Sequence, residues 1–248
     1  MLKAIFLDMD ETLCDTTRAN KQALRVLATA VNRLYPQLNE HDVANDYIKG
    51  IYRNIKPHHA DELNAIADEG EFRIALVRRL LIDAGIDEAP RARARELQIT
   101  FDEARTAHFD FYPGIKEWLI QARKSHRLIL ITNGPEYSQI LKVKRVEMDK
   151  YVDHIIIGGQ EKEQKPAVSI FEKAMRLAHC NAHETVHVGD SLTADIAGAN
   201  AASIASVWIR HTDSNDLNLD TELANTIIPT HILDSPQDIP QFFRDYSA

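Results

Sequence analysis

The sequence predicts an α/β protein: a Rossmann-like parallel sheet with helices on both faces, plus an inserted all-helical subdomain. Three observations lead there. From residue 110 onward, short apolar runs alternate with helix-spaced stretches, the rhythm of βαβ units with right-handed crossovers. A solitary strand-like run, Lys3-Ala4-Ile5-Phe6-Leu7, stands near the amino terminus. Between the two, from about Thr16 to His108, no strand-like run occurs and helical periodicity dominates. The sheet domain is therefore expected to be discontinuous, residues 1–15 with 110–248, and residues 16–109 to form the helical insert.

In the insert, Leu24, Leu27, Ala28 and Val31 follow helix spacing, as do Phe72, Leu76 and Leu80. Arg91 to His108 is a further helix, its run of arginines placed on a solvated face. His58 and His59, adjacent in the insert, read as exposed loop residues outside any site. After Tyr112-Pro113-Gly114, a stripe of Ile115, Trp118, Leu119 and Ala122 marks a helix with Pro113 near its start. Arg127 to Thr132 is the second strand, left through Asn133-Gly134-Pro135, and a helix carries Tyr137, Ile140 and Leu141. His154 to Ile157 is the third strand, and a charged loop from Glu161 leads to Lys165-Pro166 and a helix with Ile170, Phe171 and Ala174. Glu184 to Val188 is the fourth strand, ended by Gly189-Asp190-Ser191, with a short helix running to about Asn200. Ser203–Ile209 and Thr226–Leu233 read as the last strands, His211–Asp220 as a polar loop, and a terminal helix follows Pro236.

A net charge of −8 argues against binding nucleic-acid polymers through their phosphates, and leaves small phosphorylated substrates open. Two cysteines, Cys14 and Cys180, provide no disulfide framework. No apolar run reaches membrane-spanning length and the first strand starts almost at Met1, so no membrane association and a cytoplasmic location are expected. Oligomeric state leaves no mark in the sequence.

Chemistry gathers where strands end. Ligands in open α/β sheets collect at the carboxyl edge, and that edge is expected to carry Asp8 with Asp10, Thr132 with Asn133, Lys165, and Asp190 with Asp195. Acids without cysteine or histidine beside them suit a hard divalent cation bound through oxygen, magnesium above all. Asp8 is the candidate nucleophile, able to form an aspartyl-phosphate, and Asp10 the candidate proton donor and acceptor. Lys165 supplies positive charge to the phosphoryl group, with Thr132 and the main-chain amides after it as donors. Lys162 is a rival for the lysine role, but Lys165 directly precedes Pro166 and a helix. Asp190 suits the metal, and Asp195 is read as orienting Lys165 or a metal-bound water. Singly, each of these groups also fits an ordinary turn, cap or surface charge.

Together, Asp8-Met9-Asp10-Glu11-Thr12, Thr132-Asn133-Gly134, Lys165-Pro166 and Gly189-Asp190-Ser191 with Asp195 resemble the four motifs of the haloacid dehalogenase superfamily. The helical insert sits where that family's helical cap does, between the first and second motifs. The resemblance implies magnesium held by Asp8, the main-chain oxygen of Asp10 and Asp190, and phosphoryl transfer through Asp8. Superfamily members that remove halogen from haloacids lack an acid at the position of Asp10, so its presence favours phosphatase chemistry. The stretch Ile157 to Phe171 is similar to N-acylneuraminate-9-phosphatases, and the opening and the Asp190 helix look like pyrimidine 5′-nucleotidases. The expectation is a magnesium-dependent phosphomonoesterase acting on a sugar phosphate or nucleoside monophosphate. A haloacid dehalogenase is the alternative; a phospho-acceptor switch without turnover is a third reading, opposed by the large insert.

Overall fold

A computed structural model describes residues 1–211 and 226–246. Most of the expected loop His211–Asp220 lies outside the described residues. The chain divides into two compact units, Met1–Thr16 with Asp110–Ala248, and Thr17–Phe109.

The first unit is built on six parallel strands: β1 (Ala4–Leu7), β2 (Arg127–Thr132), β3 (His154–Ile157), β4 (Thr185–Gly189), β5 (Ala205–Ile209) and β6 (His231–Leu233). Their order is β3-β2-β1-β4-β5-β6. β1 lies in the middle and is buried at every position, which explains its unbroken apolar character. Leu7 stands opposite Leu130 on one side and Val188 on the other. Residues directly after β1, β2 and β4 therefore leave the sheet on one edge. Strand order reverses between β1 and β4, the place where open α/β sheets form a crevice.

Phe6, Ile129, Ile131 and Ile156 pack on one face with Ile170, Phe171 and Ala174 of α8 (Val168–Ala178), below. The helices of this unit are α6 (Ile115–Ala122), α7 (Glu136–Arg145), α8, α9 (Ala197–Ala201) and α10 (Ile239–Tyr246). Gly198 is required on α9, because a Cβ there would stand 2.4 Å from Cε2 of Phe171.

The last two strands and the helix after β4 differ from the sequence reading. β5 begins at Ala205 because Ser203 takes a left-handed φ of 58° to close the preceding helix. β6 begins at His231: Ser206 and Thr230 exchange hydrogen bonds of 3.1 and 3.2 Å through their hydroxyls, so the main-chain ladder starts one residue later. The helix after β4 opens as a five-residue π-helix, Leu192–Ile196, before α9. Such widened turns concentrate at functional sites.

The second unit is helical throughout: most of α1 (Thr16–Leu34), then α2 (Glu40–Ile51), α3 (Pro57–Asn64), α4 (Glu69–Asp83) and α5 (Arg91–His108). Pro57 occupies the first turn of α3, and Asp68 caps α4 by accepting from the Glu71 amide at 2.8 Å. Leu27, Val31, Tyr47, Phe72, Leu81, Leu97 and Phe101 form its own apolar core. Inside it the buried Arg73 bridges Glu69 at 2.9 Å and Asp102 at 2.8 Å. Arg91, Arg93 and Arg95 are exposed while Ala94 is buried, so the basic run is a solvated helix face. Among the described residues no helix is long and apolar enough to cross a membrane.

Phe171→Ala should cost about 3–5 kcal/mol, the usual range for a buried phenylalanine. Urea titration should show a lower midpoint; a change under about 1 kcal/mol would contradict the packing described.

Candidate active site

The site grows from the edge that β1, β2 and β4 share. Asp8 follows β1 directly, and its amide donates to the Val188 carbonyl at 2.9 Å, fixing it beside β4. The chain then turns sharply. The Leu13 and Cys14 amides both donate to the Met9 carbonyl, and Glu11 adopts a φ of 55°. This compact loop carries Asp10.

Lys165 is the electrostatic centre. Its ammonium donates to Asp8 Oδ1 at 2.5 Å and to Asp195 Oδ1 at 2.7 Å, and all three side chains are buried. The rival Lys162 is exposed. Lys165 sits there because Asn133 holds its backbone: the Asn133 side-chain amide donates to the Lys165 carbonyl at 2.8 Å and accepts from its amide at 3.0 Å. The Asn133 side chain is thus committed to placing Lys165. Thr132 is buried at the end of β2.

Asp195 lies on the π-helix, its Oδ2 accepting from the Ser191 amide at 3.1 Å and its Oδ1 also meeting Nε2 of His187 at 2.8 Å. Gly189 makes room for it, since a Cβ there would fall 2.2 Å from Asp195 Cγ. Asp190 is placed by Trp208, whose indole N–H donates to the Asp190 carbonyl at 2.8 Å.

Burial pushes the Asp8 carboxyl up to about 7, against the pull of Lys165 and with Asp195 and Asp10 adding to the rise. Asp190 is likewise raised well above its usual range by burial and then by Asp8 and Asp195. Asp195 goes the other way, to about 2, because Lys165 and His187 outweigh its burial. Burial also lowers His187, against the pull of Asp195. Carboxylate oxygens of Asp8, Asp190 and Asp195 all lie within 4.8 Å of one another, an all-oxygen set that fits a hard divalent cation. Asp195 already accepts from Lys165, His187 and Ser191, so Asp8 and Asp190 are the carboxylates best suited to the ion.

Asp10 is held by residues that the motif reading did not single out. Lys142 Nζ lies 2.7 and 2.8 Å from its two carboxylate oxygens, Gln139 Nε2 donates at 3.2 Å, and the Thr16 hydroxyl donates as well. On α7 the residues expected to mark the helix were Tyr137, Ile140 and Leu141. Its most buried side chains are instead Ser138, Gln139 and Lys142. A polar pair three residues apart on one helix face was the available signal. For His187 the signal was a lone imidazole inside an otherwise apolar strand.

The haloacid dehalogenase-like hydrolase family matches this chain over residues 2–203. The N-acylneuraminate-9-phosphatase of Rattus norvegicus is 28% identical over 246 residues, covering 98% of this chain and 94% of that protein. The glyceraldehyde 3-phosphate phosphatase of Pyrococcus abyssi is 29% identical over 221 residues, covering 85% and 82%. The HAD hydrolase YfnB of Bacillus subtilis, solved bound to magnesium, shares the fold with a TM-score of 0.68 at 22% identity, covering 97% of this chain and 98% of that one. On a match that spans most of its length, the chain belongs to the haloacid dehalogenase-like hydrolase family.

Proposed function

We propose that the protein is a magnesium-dependent phosphomonoesterase that hydrolyses a small phosphorylated metabolite, a sugar phosphate or nucleoside monophosphate, through an aspartyl-phosphate on Asp8. The observation that carries this reading is Asp8, held by Lys165 at 2.5 Å, with a second acid, Asp10, two residues on. Relatives named as phosphatases of phosphorylated small molecules support it. Asp10 also weighs against the dehalogenase alternative, whose chemistry has no proton to deliver to a leaving oxygen.

Lys165 holds Asp8 through Oδ1, which leaves Oδ2 as the attacking atom. Asp8 Oδ2 bonds to phosphorus as the bond from phosphorus to the leaving oxygen breaks, and Asp10 gives that oxygen its proton. Asp10, now a carboxylate, takes a proton from water as the water oxygen attacks phosphorus. The bond between phosphorus and Asp8 then breaks, releasing phosphate and restoring the Asp8 carboxylate. Asp8, Asp190 and the main-chain oxygen of Asp10 would hold magnesium, which supplies charge compensation between carboxylate and phosphoryl group. Lys165 and the Thr132 hydroxyl serve the phosphoryl oxygens, and Asp195 keeps Lys165 in place.

Lys142 gives the two halves of the cycle different demands. Its ammonium favours the charged form of Asp10, the form that accepts a proton from water.

A panel of sugar phosphates and nucleoside monophosphates, assayed with magnesium and with chelator, should give metal-dependent phosphate release from at least one member. No release from any, by folded enzyme, would overturn the proposal. Asp8→Asn should lower kcat by on the order of 10⁴-fold or more, and Asp10→Asn by about 10²–10⁴-fold; near-native rates would remove those roles. Lys142→Met should slow breakdown of the phospho-enzyme more than its formation, so acid-quenched samples accumulate phosphorylated protein; equal slowing of both steps would contradict the assignment. Magnesium at a hundred times its Kd should stabilise the wild-type protein by about 2.7 kcal/mol. Asp190→Asn should abolish that gain, and a gain that persists would place the ion elsewhere.

A further inference from the structure

The helical unit contains a second group of ligating side chains, far softer in character than the acidic edge. His58 and His59 stand in the first turn of α3, not in a loop, and Asp83 is the last residue of α4. His59 Nε2 lies 2.9 Å from Asp83 Oδ1, and His58 Nε2 lies 3.7 Å from Asp83 Oδ2. The two imidazole rings are 4.0 Å apart between centroids, and one donor atom from each of the three residues falls within 4.8 Å of the others. Donors bound to zinc at about 2.0–2.2 Å in a tetrahedron stand roughly 3.4 Å apart, so the observed spacings bracket what such an ion requires.

We propose that His58, His59 and Asp83 form a binding site for a zinc-type divalent transition ion, which clips the start of α3 to the end of α4. Two imidazoles and one carboxylate are a borderline donor set that favours zinc, cobalt or nickel over magnesium. His58 is the exposed member, with 62% of its side chain accessible, so water completes the coordination from the open side. His59 and Asp83 are largely covered, at 13% and 19%, which holds their donors in place.

Lys56 is the competitor. Its ammonium donates to Asp83 Oδ2 at 2.9 Å, occupying the oxygen that faces His58. Asp46 Oδ2 lies 3.4 Å from the same ammonium, so Lys56 has a second carboxylate to turn to when the ion arrives. Binding is therefore an exchange: Lys56 leaves Asp83 for Asp46, and the ion takes its place between Asp83 and the two histidines. A surface ion pair without this function would be indifferent to metal.

The site is independent of the phosphatase reading, because every group in it belongs to the helical unit. The test is titration of the full-length protein with zinc, and with cobalt followed by its visible absorption, in excess magnesium so that the acidic edge is satisfied. One equivalent should bind, with Tm rising on zinc addition. Asp83→Asn and His59→Ala should each weaken binding by more than about tenfold, while Lys56→Met should tighten it by removing the competing ammonium. Asp190→Asn should leave it unchanged. Absence of saturable binding would overturn the proposal. So would binding that survives both Asp83→Asn and His59→Ala in folded protein, or binding that disappears in Asp190→Asn.

Discussion

A buried ammonium between two buried carboxylates is the interaction on which the rest of the site depends. Lys165 reaches Asp8 from one side and Asp195 from the other, at 2.5 and 2.7 Å. A lone buried charge would be costly to desolvate; here the ammonium is hydrogen-bonded to both carboxylates. The match is incomplete by design of the sequence, since Asp8, Asp190 and Asp195 face one lysine. Burial first, and then the neighbouring carboxylates, raises Asp8 and Asp190, while Asp195, which accepts from Lys165, His187 and the Ser191 amide, stays ionised. That asymmetry separates the carboxylate that orients Lys165 from the two that suit a cation.

The fold supplies this arrangement with few parts. A parallel sheet puts every strand's carboxyl end on one edge, and placing β1 between β2 and β4 brings residues distant in sequence to one crevice. Local devices then set the side chains. Asn133 ties the Lys165 backbone to the end of β2, the π-helix aims Asp195, Trp208 holds the Asp190 carbonyl, and Gly189 leaves space for the Asp195 carboxylate. Around Asp10, Lys142 and Gln139 do the corresponding work from α7.

The sheet was legible because central parallel strands must be apolar on both faces, and four motif acids and a lysine fell at their ends. The residues were therefore readable as a set. Their supports were less so. Lys142 and Gln139 belong to no motif; their three-residue spacing puts them on one helix face, but that this face turns to Asp10 follows from tertiary placement, which helix periodicity does not encode. The left-handed Ser203 and the hydroxyl exchange between Ser206 and Thr230 shortened the last strands for reasons that lie in tertiary contacts. His58 and His59 looked like loop residues because two adjacent histidines usually are, whereas Pro57 just before them suits the first turn of a helix.

The most direct test of the central claim is the chemical identity of the intermediate. Enzyme quenched in acid during turnover of a competent substrate, then digested and mapped by mass spectrometry, should carry its phosphoryl group on Asp8. Turnover without any such adduct, or a phosphoryl group found on another residue, would contradict the account.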